Sequence, residues 1–582
     1  MEPAQKEHLK WLSQDKDQKE KVPTKTHTQS MKKLLIICLA MFFACTNVDK
    51  NTPIQKAPET PFVWNGANVY FLLTDRFYNG NQQNDFSFGR KQDGAVLRDF
   101  KGGDISGVTK KIKEGYFNDL GVNAIWMNPM VEQIHGSTDE GTGLSYPFHG
   151  YWAKDWTVLD PNFGTLEEYK TLIEEAHQKG IRIIMDVVIN HTGPVTAIDA
   201  VWPASWVRTS PTCTYTDFET TVTCTLVENL PDIRTESDEA VELPPFLVEK
   251  WKAEGRYEQE VKELDEFFER TGYPRAPRFY IMKWLTDYVA ELGIDGFRVD
   301  TAKHTEAGIW AELYNEAQTA FSNWKSNNPD KVLDNNDFYM VGEVYNYSIY
   351  DGQDFSIGPD TTVNFYENGL QSLINFSLRS QQDKTLEEIS SEYSNVLHDG
   401  ELKGFGVMNY ISSHDDGSPY DKERAKTYEA ANKLLLTPGT SQIYYGDETA
   451  RSLIIEGTEG DATLRSEMNW DDLESNGETQ KIWNHYAKLG NFRKNHPAVG
   501  AGKHRKLSDA PYAFAREFSQ GEYTDKVIVS MNNPTGEISV LSVFEEGEEL
   551  IDNYSNKTAI VRNGKVKFDS DSDIFLVSSI VK

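Results

Sequence analysis

From about residue 66 the chain alternates short runs of β-branched and aromatic residues with longer amphipathic stretches, the pattern of βα units built around a parallel sheet. The apolar runs predict strands at Asn68 to Thr74, Asn123 to Met127, Ile181 to Val188, Gly296 to Val299, Phe338 to Val341, Thr361 to Phe365, Val407 to Ser412 and Gln442 to Tyr445. Eight strands with helices between them predict an α/β fold of the (β/α)8 TIM-barrel type, in which active sites lie at the C-terminal strand ends. About 100 residues separate the third strand from the fourth, and an insertion of that length is usually functional. It carries two cysteines and then a charged helical stretch over Leu243 to Glu269. After Ala501 the pattern changes to short alternating runs such as YAFAREF and DKVIVSMNN, which predict a C-terminal antiparallel β-sandwich. The expected organisation is a barrel over 62–191 and 276–500, an insertion domain over 192–275 and the sandwich over 501–582.

The front of the chain reads differently. Residues 1–30 are polar and without period; Met31-Lys32-Lys33 then introduces the apolar run LLIICLAMFFA, Leu34 to Ala44, ahead of Cys45. Two lysines, an apolar core too short to span a bilayer and a small residue before the break describe an export signal, so 1–45 is expected to be an upstream extension plus signal peptide. Ala44-Cys45 also resembles a bacterial lipoprotein cleavage site, which makes Cys45 the expected lipid anchor and 46–61 a polar tether. The expected location is the periplasm or the outer membrane of a Gram-negative bacterium, with the membrane touched only through that lipid. Cys213 and Cys224, eleven positions apart in a Thr-rich stretch, are expected to form one local disulfide in an oxidising compartment.

Composition narrows the partners. With 29 Phe, 27 Tyr and 13 Trp the chain has ample apolar surface for large cores, so disorder is excluded. A net charge of −31 repels phosphate backbones and argues against nucleic acid.

The predicted strand ends carry the chemistry. Strand three ends Asp186-Val-Val-Ile-Asn190-His191, strand four Arg298-Val-Asp300 followed by Lys303-His304, strand five Gly342-Glu343, and strand seven Ser413-His414-Asp415. A single Asp in such a place is most simply a helix cap. Four strand ends that agree, with Arg298, His191 and His414 beside them, instead supply what glycosidic cleavage requires: a nucleophile, an acid/base and a charge-stabilising acid on one mouth.

These residues stand in DVVINH (186–191), GFRVDTAKH (296–304), VGEV (341–344) and SSHDD (412–416), with LPDI (230–233), IWMNP (125–129), HGYW (149–152) and IYYGDE (443–448) in order around them. Over residues 62–582 the chain resembles the α-amylase superfamily, glycoside hydrolase family 13, and the stretch from Leu230 to Arg256 looks like periplasmic or lipoprotein α-amylases of Gram-negative bacteria. The resemblance implies Asp300 as nucleophile, Glu343 as acid/base and Asp415 as stabiliser of the transition state, acting on α-1,4 bonds of starch fragments or maltodextrins with retention of configuration. It implies Tyr151, His191 and His414 around the sugar at the point of cleavage, with Asp186 and Arg298 in the same substrate-binding set, and Lys303 and His304 on the leaving-group side. Ser413 departs from the Asn common there. It further implies one or two calcium ions: one held by Asn190, Asp232 and the carbonyl of His304, another by Asn79, Asn81, Asn84, Asp85, the carbonyl of Gly102 and Asp104, with Asn79 replacing an Asp. A cyclomaltodextrinase-like hydrolase or an α-glucan transglycosylase shares the same acids; a silent sugar-binding barrel would have lost one of them, and none is missing.

Overall fold

The structure, a computed structural model, describes residues 60–580; the expected signal, Cys45 and nearly all of the tether lie outside the described residues. Among the described residues no helix is long and apolar enough to cross a membrane.

Eight parallel strands close into a barrel: β1 (Asn68–Leu72), β2 (Ala124–Met127), β3 (Arg182–Val187), β4 (Gly296–Val299), β5 (Tyr339–Gly342), β6 (Ser372–Asn375), β7 (Gly406–Tyr410) and β8 (Thr440–Tyr444), each paired with its neighbours in sequence and β8 with β1. Every residue of these strands is buried, because helices cover the outside and side chains fill the inside; that is why the runs read as continuous apolar stretches and not as alternation. Helices Leu166–Gln178 and Leu386–His398 each open on a Thr whose hydroxyl accepts from the N–H of a Glu three residues on, while that Glu returns the bond.

One strand differs from expectation. Thr361–Asn364 pairs antiparallel with Asp354–Ile357 in a hairpin outside the barrel, and Ser372–Asn375 takes the sixth place. A barrel strand must bury both faces; Thr362 is exposed and its neighbours half-buried, whereas all of β6 is buried. The β-branched residues of TTVN signalled a strand, but propensity does not say to which sheet it belongs.

Two excursions build the mouth. The one after β2 carries an antiparallel pair, Val131–Gln133 with Ala153–Leu159, whose shifted register hides it from periodicity. The one after β3 carries Val207–Arg208 paired with Asp232–Ile233, a short helix Glu219–Val222, and Cys213 bonded to Cys224 with Cα atoms 5.0 Å apart. The single charged helical stretch expected there is two helices, Pro245–Glu254 and Tyr257–Thr271, broken at Gly255 in the left-handed region.

The C-terminal strands form a six-stranded antiparallel sheet and a separate two-stranded pair, Glu537–Ser539 with Lys565–Lys567. Period 2 divides the faces: Val527, Val529 and Leu576 join the barrel's core, while Ile528, Phe575 and Val577 pack with Ile538 and Val566 of the pair in a second one. The last barrel helix, Gly477–Asn495, docks at the foot of β1, where the Asn68 amide donates to the carbonyls of Gly121 and Gly490 at 2.8 Å each. A Cβ on Gly490 would stand 2.2 Å from the Leu120 oxygen. Gly490→Ala is therefore expected to destabilise the fold by about 2 kcal/mol, read as a lower urea midpoint at unchanged slope.

Candidate active site

β3, β4 and β5 end side by side, and their register sets Arg298 level with Asp186 and with Val341. The ladder runs one residue further, Asp300 N–H to the Val187 carbonyl at 3.0 Å and Glu343 N–H to that of Val299 at 2.9 Å, so both acids leave their strands at a common height. Arg298 is only 1% exposed. Its Nη1 donates to Asp186 Oδ1 at 2.9 Å and to Asp300 Oδ1 at 2.7 Å, and its Nη2 lies 3.0 Å from Glu343 Oε2. Asp186 also accepts from the Tyr151 hydroxyl at 2.8 Å and from Trp126 Nε1 at 3.0 Å. Asp186 and Arg298 thus lie beneath the cleft and do not line it. There they hold Tyr151, Asp300 and Glu343 in place.

Thr301, next to the proposed nucleophile, takes φ +48°, a strained left-handed conformation for a β-branched residue. The turn points its N–H at Glu343 Oε2, 2.9 Å away. Burial raises the Glu343 carboxyl, Arg298 opposes this, and Asp300 and Asp415 add to it, leaving the group at about 8. Asp415 moves the other way: burial would raise it, but His414, the Ser413 hydroxyl, Arg298 and Arg465 together hold it below the usual carboxylate range. Ser413, the departure from Asn, donates its hydroxyl to Asp415 Oδ1 at 2.8 Å, and 41% of the Asp415 side chain opens to the cleft.

The cleft is a cavity of about 1030 Å3 whose lining includes Tyr151, His191, Asp300, Glu343, His414 and Asp415. The Tyr151 ring lies nearly parallel to the His414 imidazole, 5.0 Å between centroids. His191 Nε2 donates to the Tyr151 carbonyl at 3.1 Å, because a carbonyl can only accept. Burial lowers both histidines, His414 to about 4, so they line the cleft as neutral rings. Lys303 and His304 follow Asp300 in a 3₁₀ turn and do not line this cavity. Arg98, Asp461 and Arg465, which do, escaped the sequence reading. Arg98 Nη2 lies 3.0 Å from Asp461 Oδ1, Arg465 also pairs with Asp461, and Arg465 Nε donates to the His414 carbonyl at 2.8 Å. Arg98 sits in an irregular segment after β1, and Asp461 and Arg465 in a short 3₁₀ helix, Gly460–Arg465, after β8, where no apolar period marks a side chain as facing a site.

With this geometry in view, comparison with known proteins is decisive. The family described as Alpha amylase, catalytic domain, matches residues 71–502. The chain belongs to the alpha-amylase family. It is 36% identical over 529 residues to the periplasmic alpha-amylase of Escherichia coli (strain K12), covering 81% of this chain and 72% of that protein. It is 26% identical over 490 residues to a cyclomaltodextrin glucanotransferase of Geobacillus stearothermophilus, covering 82% of this chain but 61%, less than two thirds, of that enzyme. In fold it matches the alpha-amylase of Geobacillus thermoleovorans, solved with acarbose, with a TM-score of 0.61 at 20% identity, over 90% of this chain and 100% of that one.

In this alpha-amylase family member the two calcium cradles implied by sequence were tested against the side chains. At the first, Asn190 Nδ2 lies 2.9 Å from Asp232 Oδ1 and 3.1 Å from the His304 carbonyl, so all three residues converge. Asp232 Oδ2 is buried without a hydrogen-bond acceptor role filled, and burial lifts its carboxyl to about 8 against the pull of Arg208, whose Nε stands 3.0 Å away. At the second, Asn79 Oδ1 and Asn84 Oδ1 are buried with no partner, and Asn79 Nδ2 donates to Asp85 Oδ1 at 2.8 Å. Gly102 holds φ +86°, and a Cβ there would stand 2.5 Å from Asn79 and 2.6 Å from Asp85, so glycine keeps the cradle open. The remaining two are otherwise engaged: Asp104 caps helix Ile105–Glu114, accepting from Gly107, Gly80 and Asn81 N–H groups, and Asn81 Oδ1 accepts from Gln83 N–H. Among the described residues no group of three or more His, Cys, Asp or Glu is placed to hold a metal, so each cradle would combine carboxylate oxygen with amide and carbonyl oxygens, a donor set that suits a hard cation such as calcium.

Removing the central cation tests the site's electrostatics. Arg298→Met is expected to destabilise the fold at neutral pH by roughly 3–5 kcal/mol, because three carboxyls lose their counter-charge. Glu343 stands at about 8 even with Arg298 beside it, and losing that cation pushes it further up, so the folded state binds the extra proton and stability recovers as pH falls through about 8. Melting temperature against pH for both proteins measures this.

Proposed function

We propose that this glycoside hydrolase cleaves α-1,4-glucosidic bonds of maltodextrins or starch fragments with retention of configuration. The observation that carries the proposal is one guanidinium bridging Asp186, Asp300 and Glu343 while Glu343 is pushed up and Asp415 is held down. Cleavage on this basis begins with the Asp300 carboxylate attacking the anomeric carbon. The glycosidic carbon–oxygen bond breaks as protonated Glu343 gives its proton to the leaving oxygen, and a covalent glycosyl-enzyme forms. Glu343, now a carboxylate, takes a proton from water; the water oxygen bonds to the anomeric carbon and the bond to Asp300 breaks. Asp415, ionised and open to the cleft, stabilises the positive charge that develops on the sugar. A sugar hydroxyl in place of water gives transfer instead of hydrolysis, and chromatography of products from one defined maltooligosaccharide separates the two. Bound calcium would tie Asn190 at the end of β3 to Asp232 and the His304 carbonyl as a structural clip. Export to the periplasm is supported by the signal-like segment before Cys45 and by the periplasmic relative.

Glu343→Gln is expected to cut turnover by about 10²–10⁴-fold while maltooligosaccharide binding persists; unchanged turnover overturns the assignment. Because the acid must be protonated, kcat/KM of the wild type should fall as pH rises through about 8. Chelation should lower the melting temperature and added calcium restore it, and in Asn190→Ala/Asp232→Ala the response to the first cradle should vanish.

A further inference from the structure

At the end of the barrel opposite the cleft lies another cavity, of about 460 Å3, which the chemistry above does not use. Arg182 opens β3, Asp334 lies ahead of β5, and Arg493 and Lys494 stand in the last turn of helix Gly477–Asn495, so the walls come from the N-terminal ends of the strands. Three of the lining side chains are cations and one, Asp334, is an acid. In a chain of net charge −31 that local balance is reversed.

The three cations are not equally satisfied. Arg182, 9% exposed, donates through Nη1 to the Gly180 carbonyl at 2.8 Å and through Nη2 to Asp334 Oδ2 at 2.6 Å. Its guanidinium lies over the Phe62 ring, 3.8 Å from the centroid, and its Nε has no acceptor. Arg493 is fully buried and donates to backbone carbonyls, among them those of Leu435 at 3.1 Å, Thr437 at 2.9 Å and Asn65 at 3.2 Å. No carboxylate pairs with it among the described residues, and burial, with Arg516 near it, lowers it to about 9. Lys494 has neither an acceptor nor an ion pair among the described residues; burial lowers it, Arg182 adds to this and Asp119 opposes it.

Asp334 supplies one negative charge and the carbonyl end of the helix roughly half of another, against three positive charges on the walls. A cation withdrawn from water without a counter-charge is costly, so the cavity favours an anion. Its donors and its size narrow the class. Arg and Lys bind the oxygens of tetrahedral anions through N–H groups, and the volume admits such an anion together with several waters.

We propose that this cavity at the foot of the barrel is an oxyanion site for phosphate or sulfate, held by Lys494 and Arg182 with the charge of Arg493 behind them. Thr60, Pro61, Phe62 and Val63 line the same cavity, so a bound anion ties the segment leading into β1 to the start of β3 and to the last barrel helix. Its effect therefore falls on stability, and the cleft at the other end of the strands is untouched.

Titration of the protein with sodium phosphate, and separately with sodium sulfate, at constant ionic strength set by chloride, tests this. In the wild type the melting temperature should rise and saturate, and calorimetry should give one site. Lys494→Gln should weaken phosphate binding about tenfold or more, whereas Asp334→Asn, which removes the one acid from the wall, should tighten it about threefold or more. The opposite signs matter, since lost packing alone would weaken both. A response that does not saturate, or that is the same in wild type and Lys494→Gln, is the general exclusion of such salts from protein surfaces and overturns the proposal. No response in the wild type overturns it too. If Lys494→Gln fails to fold, wild type against Asp334→Asn decides, and absence of tightening is then the overturning result. Turnover of a maltooligosaccharide should not change on addition of phosphate; inhibition that tracks the binding curve would put the anion in the cleft and overturn the location.

Discussion

Several carboxyl groups cannot share one apolar pocket in useful protonation states unless a cation lies among them, since each ionised acid raises its neighbours' affinity for protons. Arg298 is that cation, buried at the core of the mouth and bonded to Asp186, Asp300 and Glu343. Its position follows from the parallel register of β3, β4 and β5, which sets a strand-four side chain level with Asp186. Asp186 in turn accepts from Tyr151 and Trp126, so the aromatic that lines the cleft is fastened to the same charge network. Disturbing any one member moves the others.

Around this centre the barrel supplies rigidity and the connections supply shape. The strands are buried throughout, and helix caps such as Thr165 and Thr385 anchor the outer layer. The cleft walls come from the excursions after β2 and β3 and from the 3₁₀ segment after β8, where Arg465 donates to the His414 carbonyl and pairs with Asp461. The long insertion thus does two jobs at once: Asp232 ties it to the end of β3, and its disulfide-closed loop reaches the turn after Asp300.

The acidity of the chain, −31 overall, is mostly remote from this chemistry. A neutral glucan needs no electrostatic steering, and the few acids in the site matter through burial and mutual contact. The contrast between Glu343, raised, and Asp415, lowered, shows how position decides: one lines the cleft nearly buried among other acids, the other is more open beside His414 and Ser413.

Seven of the barrel strands and the acids at their ends were legible in the sequence, because a parallel strand buried on both faces must be a continuous apolar run and the fold puts the residue after that run at the mouth. The pairing of Cys213 with Cys224 was legible from proximity in the chain. Hidden were the sixth strand, since the β-branched TTVN and the plain SLIN both suit a sheet and only burial chooses between them. Hidden too were the places of Asp186 and Arg298 below the cleft, the contribution of Arg98, Asp461 and Arg465, and the reach of Thr221 to His304. The sequence by itself determined which groups are present and at which strand ends, a matter of local period. Tertiary structure alone decided which of them share a proton, a charge or a wall, because those relations join residues far apart in the chain and depend on register, burial and distance.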